Sequence, residues 1–135
     1  MAPQESGGVI LLDVAAGGGT FDRSMLERLG HPVTVCNGPE GKLCPLLGGE
    51  GCDKFEQAHG IVFELDLDTD QHRSIVRRYR DLAPDLPIRV VVTPAQAERY
   101  AELLEEVEVW GHDPTVADLD GFACEVEAAD RFAEP

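Results

Sequence analysis

"GIVFELDLDTDQHRSIVRRYRDLAPDLPIRVVVT", residues 60–93, is the stretch from which the fold can be read. Its two ends, "GIVFELD" and "IRVVVT", are continuous apolar runs, the second rich in β-branched residues. Continuous rather than alternating apolarity marks strands covered on both faces. Between them Ile75, Val76, Tyr79 and Leu82 recur at helical spacing, and Pro84 stops the helix. Strand, helix and strand in that order make a right-handed crossover joining two parallel strands.

The same alternation extends both ways. Upstream, "GVILLD" (8–13) is a first buried strand. "VAAGGGTFDRSMLERLG" gives a glycine loop, then a helix capped by Thr20, running to about Leu29 and ended by Gly30. "HPVTVC" (31–36) is a second strand and "DKFEQA" (53–58) a short helix. Downstream, "PAQAERYAELLEEV" (94–107) is a helix with Pro94 in its first turn. "VEVWG" is a fifth strand, and "DPTVADLDGFACEVEAADRF" closes the chain as a helix capped by Thr115, with Asp118 in its first turn. The prediction is an α/β protein of one domain, residues 1–135, with a doubly wound five-stranded parallel sheet in flavodoxin-like order. Residues 1–7 read as a flexible N-terminus and 37–59 as a Cys/Gly-rich loop region. Sites in such sheets form at the carboxyl ends of the strands. Those ends carry Asp13, Cys36, Asp66, Thr93 and His112 with Asp113.

The charge narrows the partners. There are 26 acidic residues against 11 basic ones, a formal net charge of −15, and Lys42 and Lys54 are the only lysines. Such a field repels phosphate backbones and anionic lipid, so direct nucleic-acid or membrane binding is not expected. A basic protein partner suits it; so does plain solubility. No stretch is apolar enough to span a bilayer, and "MAPQESGG" does not read as a signal peptide, so the expected location is the cytoplasm. Thiols there stay reduced.

From Gly60 to Pro114 the sequence resembles a response-regulator receiver domain of two-component signalling, with a weaker likeness over nearly the whole chain. "GIVFELDLDTD" resembles the family's third strand, whose phosphoacceptor aspartate falls at Asp66. "RRYRDLAPDLPIRVVVT" is similar to the third helix and fourth strand, which end in a switch residue, here Thr93. "VEVWGHDP" resembles the fifth strand and its Lys-Pro step. The resemblance implies an acidic pocket of Asp13, Asp66, Thr93 and Asp113. It also implies a partner or homodimer face at the fourth helix, fifth strand and fifth helix, where Trp110, the only tryptophan, is an interface candidate or an ordinary core or edge residue.

Three departures mark a degenerate receiver, or pseudo-receiver. The acidic pair that binds Mg²⁺ in the family is Asp13 followed by Val14. The lysine before the proline is Asp113. A Cys/Gly loop stands in place of most of the second helix. Losing a carboxylate weakens a Mg²⁺ site, and an acid in place of the lysine repels an acyl phosphate. Glu64, set among Val62, Phe63 and Leu65, calls for an exposed strand face or a basic partner such as an arginine.

Cys36, Cys44 and Cys52 fall at equal steps of eight. Zinc and iron–sulfur ligands come at shorter spacing, yet the glycines leave the loop pliable enough to wrap a centre. Unlinked thiols, a disulfide or redox switch, and a metal or iron–sulfur centre all stay open, with no cofactor as the default. Cys124, on the last helix, is expected away from the trio. "LCPLL" (43–47) is expected to pack on the sheet, burying Cys44, with Gly48 to Gly51 turning the chain back. "AAGGGT" lacks the lysine of a P-loop. No catalytic constellation is complete, so an enzyme is not expected. The expected function is an atypical stand-alone signalling protein acting through protein contacts without phosphorylation; the alternative is a redox- or metal-responsive sensor.

Overall fold

A computed structural model describes residues 8–38, 44–49 and 51–133. The strands are β1 (Ile10–Asp13), β2 (Val33–Cys36), β3 (Gly60–Phe63), β4 (Ile88–Val91) and β5 (Glu108–Trp110). The helices are α1 (Thr20–Arg28), α2 (Asp53–Glu56), α3 (Asp70–Leu82), α4 (Pro94–Arg99) and α5 (Val116–Ala133). All neighbouring strands are parallel and the order is β2-β1-β3-β4-β5, the doubly wound arrangement expected.

Side chains alternate across each strand, so parity in the sequence sorts the core into two layers. Ile10, Leu12 and Val62 face α1 and α5, where they meet Leu26, Leu119, Phe122 and Val126. Leu11, Ile61, Phe63 and Val90 face the other way, onto Ile75, Val76, Tyr79 and Leu104. Gly60 admits α5 to close range: a Cβ there would stand 2.6 Å from Val126 Cγ2.

The cysteine loop covers the second layer as expected. Leu46 is buried among Leu11, Phe63 and Ile75, with Leu47 and Cys44 packed against that cluster. Gly49 and Gly51 have φ of 83° and 59°, conformations that let the chain turn back. Cys44 is half-buried rather than buried. Leu43 lies outside the described residues, as do Gly41 and residues 1–7.

Two local expectations need correction. The N-cap of α1 is Gly19 at φ 80°, and Thr20 is the first helical residue. The helix expected over 94–107 stops at Arg99; turns carry the chain to Glu106, at φ 67°, before β5. Trp110, the interface candidate or core or edge residue at the end of β5, packs edge-on against Phe122 of α5, with centroids 6.2 Å apart. Arg89 lies over its ring at 5.9 Å. The exposed apolar residue of β5 is Val109.

Candidate functional site

The carboxyl end of the sheet carries two separate sites, and strand parity separates them. Asp13 shares a face with Leu11 and, by register, lies level with Phe63 and Cys36. It therefore points toward α3. Glu64 follows Phe63 and shares the parity of Val62, so it points toward α1. The acidic pocket expected from Asp13, Asp66, Thr93 and Asp113 is thus split: Asp66, Thr93 and Asp113 line one cleft with Glu64, and Asp13 lines a cavity among the cysteines.

The cleft is open, about 550 Å³, and also bordered by Asp68, Gln96 and His112. The acid standing at the end of β3 is Glu64, whose backbone N–H donates to the Asp13 carbonyl at 2.7 Å. Asp66, assigned to that place by resemblance, lies three positions beyond Phe63 and is exposed. Of the two alternatives the sequence left open for Glu64, an exposed face or a basic partner, no basic partner is found among the described residues. Its carboxyl group meets Asp22, a buried residue in the first turn of α1, and feels the charge of Asp113. Burial, then these two acids, push its pKa up to about 9. Glu64 therefore holds a proton at neutral pH, and Oε2 is left buried without a partner. Nothing at Asp22 in the sequence separates it from an ordinary first-turn acid; only the approach of α1 to β3 gives it this role.

Thr93 is occupied. Its hydroxyl accepts from the Gln96 backbone N–H at 3.1 Å, while Gln96 Oε1 accepts from the Thr93 N–H, a capping box at the start of α4. Gln96 Nε2 then donates to Asp66 at 2.8 Å, so Asp66 is tied to the same cap. Beside it Tyr100 Oη and Arg99 each donate to Asp68 at 2.8 Å, and Arg73 reaches both the Leu67 carbonyl and Tyr100. These bonds moor the loop after β3 to α4. Asp113, in the place of the family's lysine, is exposed before Pro114. His112 Nε2 stands 3.0 Å from Asp118, whose carboxylate also accepts from the N–H of Thr115, the cap expected for α5, while the Thr115 hydroxyl accepts from the Asp118 N–H.

The receiver resemblance implies Mg²⁺ in this cleft, and the residues do not fit it. On the cleft side of β1 the position is Val14, buried against Leu26, while Asp13 faces the other layer. Among the described residues no group of three or more His, Cys, Asp or Glu side chains is placed to hold a metal ion. Mg²⁺ needs several hard oxygen ligands in near-octahedral array.

On the opposite face a cavity of about 440 Å³ lies between the sheet, α3 and the cysteine loop. Leu11, Leu46, Ile75 and Tyr79 supply apolar walls, and Cys36, Cys44 and Cys52 border it; among the described residues they belong to no group of three or more metal-ligating side chains. All three are free, half-buried thiols; Cys124 is free and exposed on α5, away from them as expected. Asp13 sits at the floor, where Tyr79 Oη donates to Oδ2 at 2.7 Å. Burial pushes the Asp13 pKa up to about 7, against the opposing pull of Tyr79, the Cys36 thiol and the Lys54 charge. Burial also pushes the Cys36 thiol up, and Cys36 interacts electrostatically with Cys52. Tyr79 was legible in the sequence as a core residue; its hydroxyl's partner, 66 positions away, was not.

No protein-family model matches the chain, and no curated protein matches it. Solved structures do. The receiver domain of a sensor histidine kinase from Pseudomonas aeruginosa, with magnesium coordinated in its active-site cleft, is similar at a TM-score of 0.66 and 17% identity, covering 90% of this chain and 98% of that one. A streptococcal protein from a family of redox sensors evolved from response regulators is similar at 0.66 and 14% identity; the match covers 93% of this chain and 53% of that one, about half its length. A response-regulator receiver domain protein from Clostridium thermocellum is similar at 0.69 and 13% identity, covering 95% of this chain and 99% of that one. The chain has the fold of response-regulator receiver domains.

Proposed function

We propose that this chain is a receiver-like signalling protein that works through protein contacts and without phosphorylation. The observation that carries the reading is the acid cluster at the end of β3. Glu64, Asp22 and Asp113 meet where phosphoryl chemistry needs cations. The Thr93 hydroxyl, the switch position by resemblance, is already spent on capping α4. A protein partner of basic character fits the exposed acids Glu98, Glu102, Glu105 and Glu108 along α4, the following turns and β5. The test is incubation with acetyl phosphate and Mg²⁺, read by intact mass. No phosphoryl adduct is expected; a stoichiometric adduct lost in Asp66→Asn would overturn the reading.

A second reading rests on the electrostatic coupling of Cys36 and Cys52 at one cavity. Two thiols and hydrogen peroxide give a disulfide and two waters. Peptide mapping after mild peroxide treatment should find Cys36 joined to Cys52 and Cys124 free. Unlinked thiols at Cys36 and Cys52 after that treatment would remove the redox reading.

A further inference from the structure

We propose that the cavity beneath the cysteine loop admits small uncharged electrophiles, of the α,β-unsaturated carbonyl class, and that Cys36 adds to them with Asp13 as proton acceptor. The proposal concerns the reduced protein, in which Cys36 is a free thiol.

The geometry begins with register. Asp13 ends β1, Cys36 ends β2, and the two are direct partners across the parallel ladder. Partners in register project to the same face, and both side chains border the cavity. The Cys36 thiol and the Asp13 carboxyl group thus lie side by side at the strand ends and interact electrostatically. Tyr79 holds that carboxylate from the α3 side through Oδ2. Lys54, its ammonium anchored on the Val35 carbonyl at 3.0 Å, places a positive charge in range of both groups. Burial and the Asp13 charge keep the Cys36 thiol protonated, so the addition needs a proton acceptor beside the sulfur, and Asp13 is the base its register partner supplies.

The class of ligand follows from the walls. A cavity of about 440 Å³ holds a ring-sized molecule. Leu11, Pro45, Leu46 and Ile75 favour an apolar body. Asp13 and Asp53 at the cavity, in a chain of net charge −15, disfavour an anion. In the addition, a sulfur electron pair forms the C–S bond at the β-carbon. The C=C π pair moves onto the carbonyl oxygen as an enolate. The thiol proton passes to Asp13 and from there to the α-carbon. Atoms and electrons balance with no oxidant or reductant.

Cys124 supplies an internal reference, since it is exposed and lies on α5 against the other face of the sheet. The experiment treats the reduced, intact protein with N-ethylmaleimide or with a maleimide carrying a carboxylate, and follows each cysteine by peptide mapping. With N-ethylmaleimide Cys36 should react about tenfold faster than Cys124 despite its burial, a modest share of the ~10²–10⁴ that a positioned base supplies. With the anionic maleimide the order should reverse. Asp13→Asn should slow Cys36 by about 100-fold and leave Cys124 unchanged, the Cys124 rate and a cooperative melt reporting that the variant is folded. Cys36 reacting no faster than Cys124 with N-ethylmaleimide in the unaltered protein would overturn the proposal without recourse to any variant. An unchanged Cys36 rate in folded Asp13→Asn would overturn the role of Asp13.

Discussion

Glu64 and Asp13 are the two side chains in which the sequence's chemistry and its geometry pull hardest against each other. Each carboxyl group is held in a place that favours its neutral form. For an acid whose folded pKa is raised, the folded chain binds more protons than the unfolded chain between the two values. The associated stability is full below the unfolded value, near 4, and is lost as pH climbs through about 7 for Asp13 and about 9 for Glu64. The melting temperature should therefore fall from pH 5 to pH 9. Glu64→Gln keeps the shape and removes the titration. Discounted for the partial exposure of the site, it should add on the order of 1 kcal/mol at pH 8 and flatten the profile. A profile for Glu64→Gln as steep as that of the parent would show that Glu64 does not hold the proton. That Glu64 was out of place among Val62, Phe63 and Leu65 was visible in the sequence. That an acid, Asp22, would meet it was not, because the contact depends on how α1 lies over the sheet.

At the scale of elements, the legible parts were those with a strong period or a strong terminator. The helix α3 shows its stripe of Ile75, Val76 and Tyr79 and ends just before Pro84; β1, β3 and β4 show unbroken apolar runs. The early end of α4 was hidden. Arg99 and Tyr100 are drawn to Asp68, and the chain must turn at Glu106 to deliver Val107 into the core. Propensity alone does not report either demand. The short α4 leans on its cap, so Thr93→Ala should cost about 1 kcal/mol by chemical denaturation. No loss would mean that the capping box does not hold the helix. Leu46 is the side chain by which the cysteine loop covers the sheet. Leu46→Ala should cost about 2–5 kcal/mol and speed modification of all three loop cysteines, with Cys124 unaffected. An unaltered melt would mean that the loop does not pack there.

For the molecule as a whole, the doubly wound order could be read from five βα repeats, and the side of the sheet on which each helix lies followed from the crossover rule. What the repeats leave open is which acids share a cleft, since one position of parity sends Asp13 to the thiols and Glu64 to Asp22. The result is a receiver fold in which the loop after β3 is moored to α4, Thr93 caps that helix, and no group of three metal-ligating side chains stands among the described residues. The most direct test is an amide NMR titration with Mg²⁺ and beryllofluoride, a mimic of the phosphoryl group. The account predicts that the resonances of Glu64, Asp66, Thr93 and α4 stay where they are. Saturable shifts at Glu64 or Asp66 together with Thr93 would contradict it, because they would show a cleft that still binds the phosphoryl mimic and passes the signal to the switch.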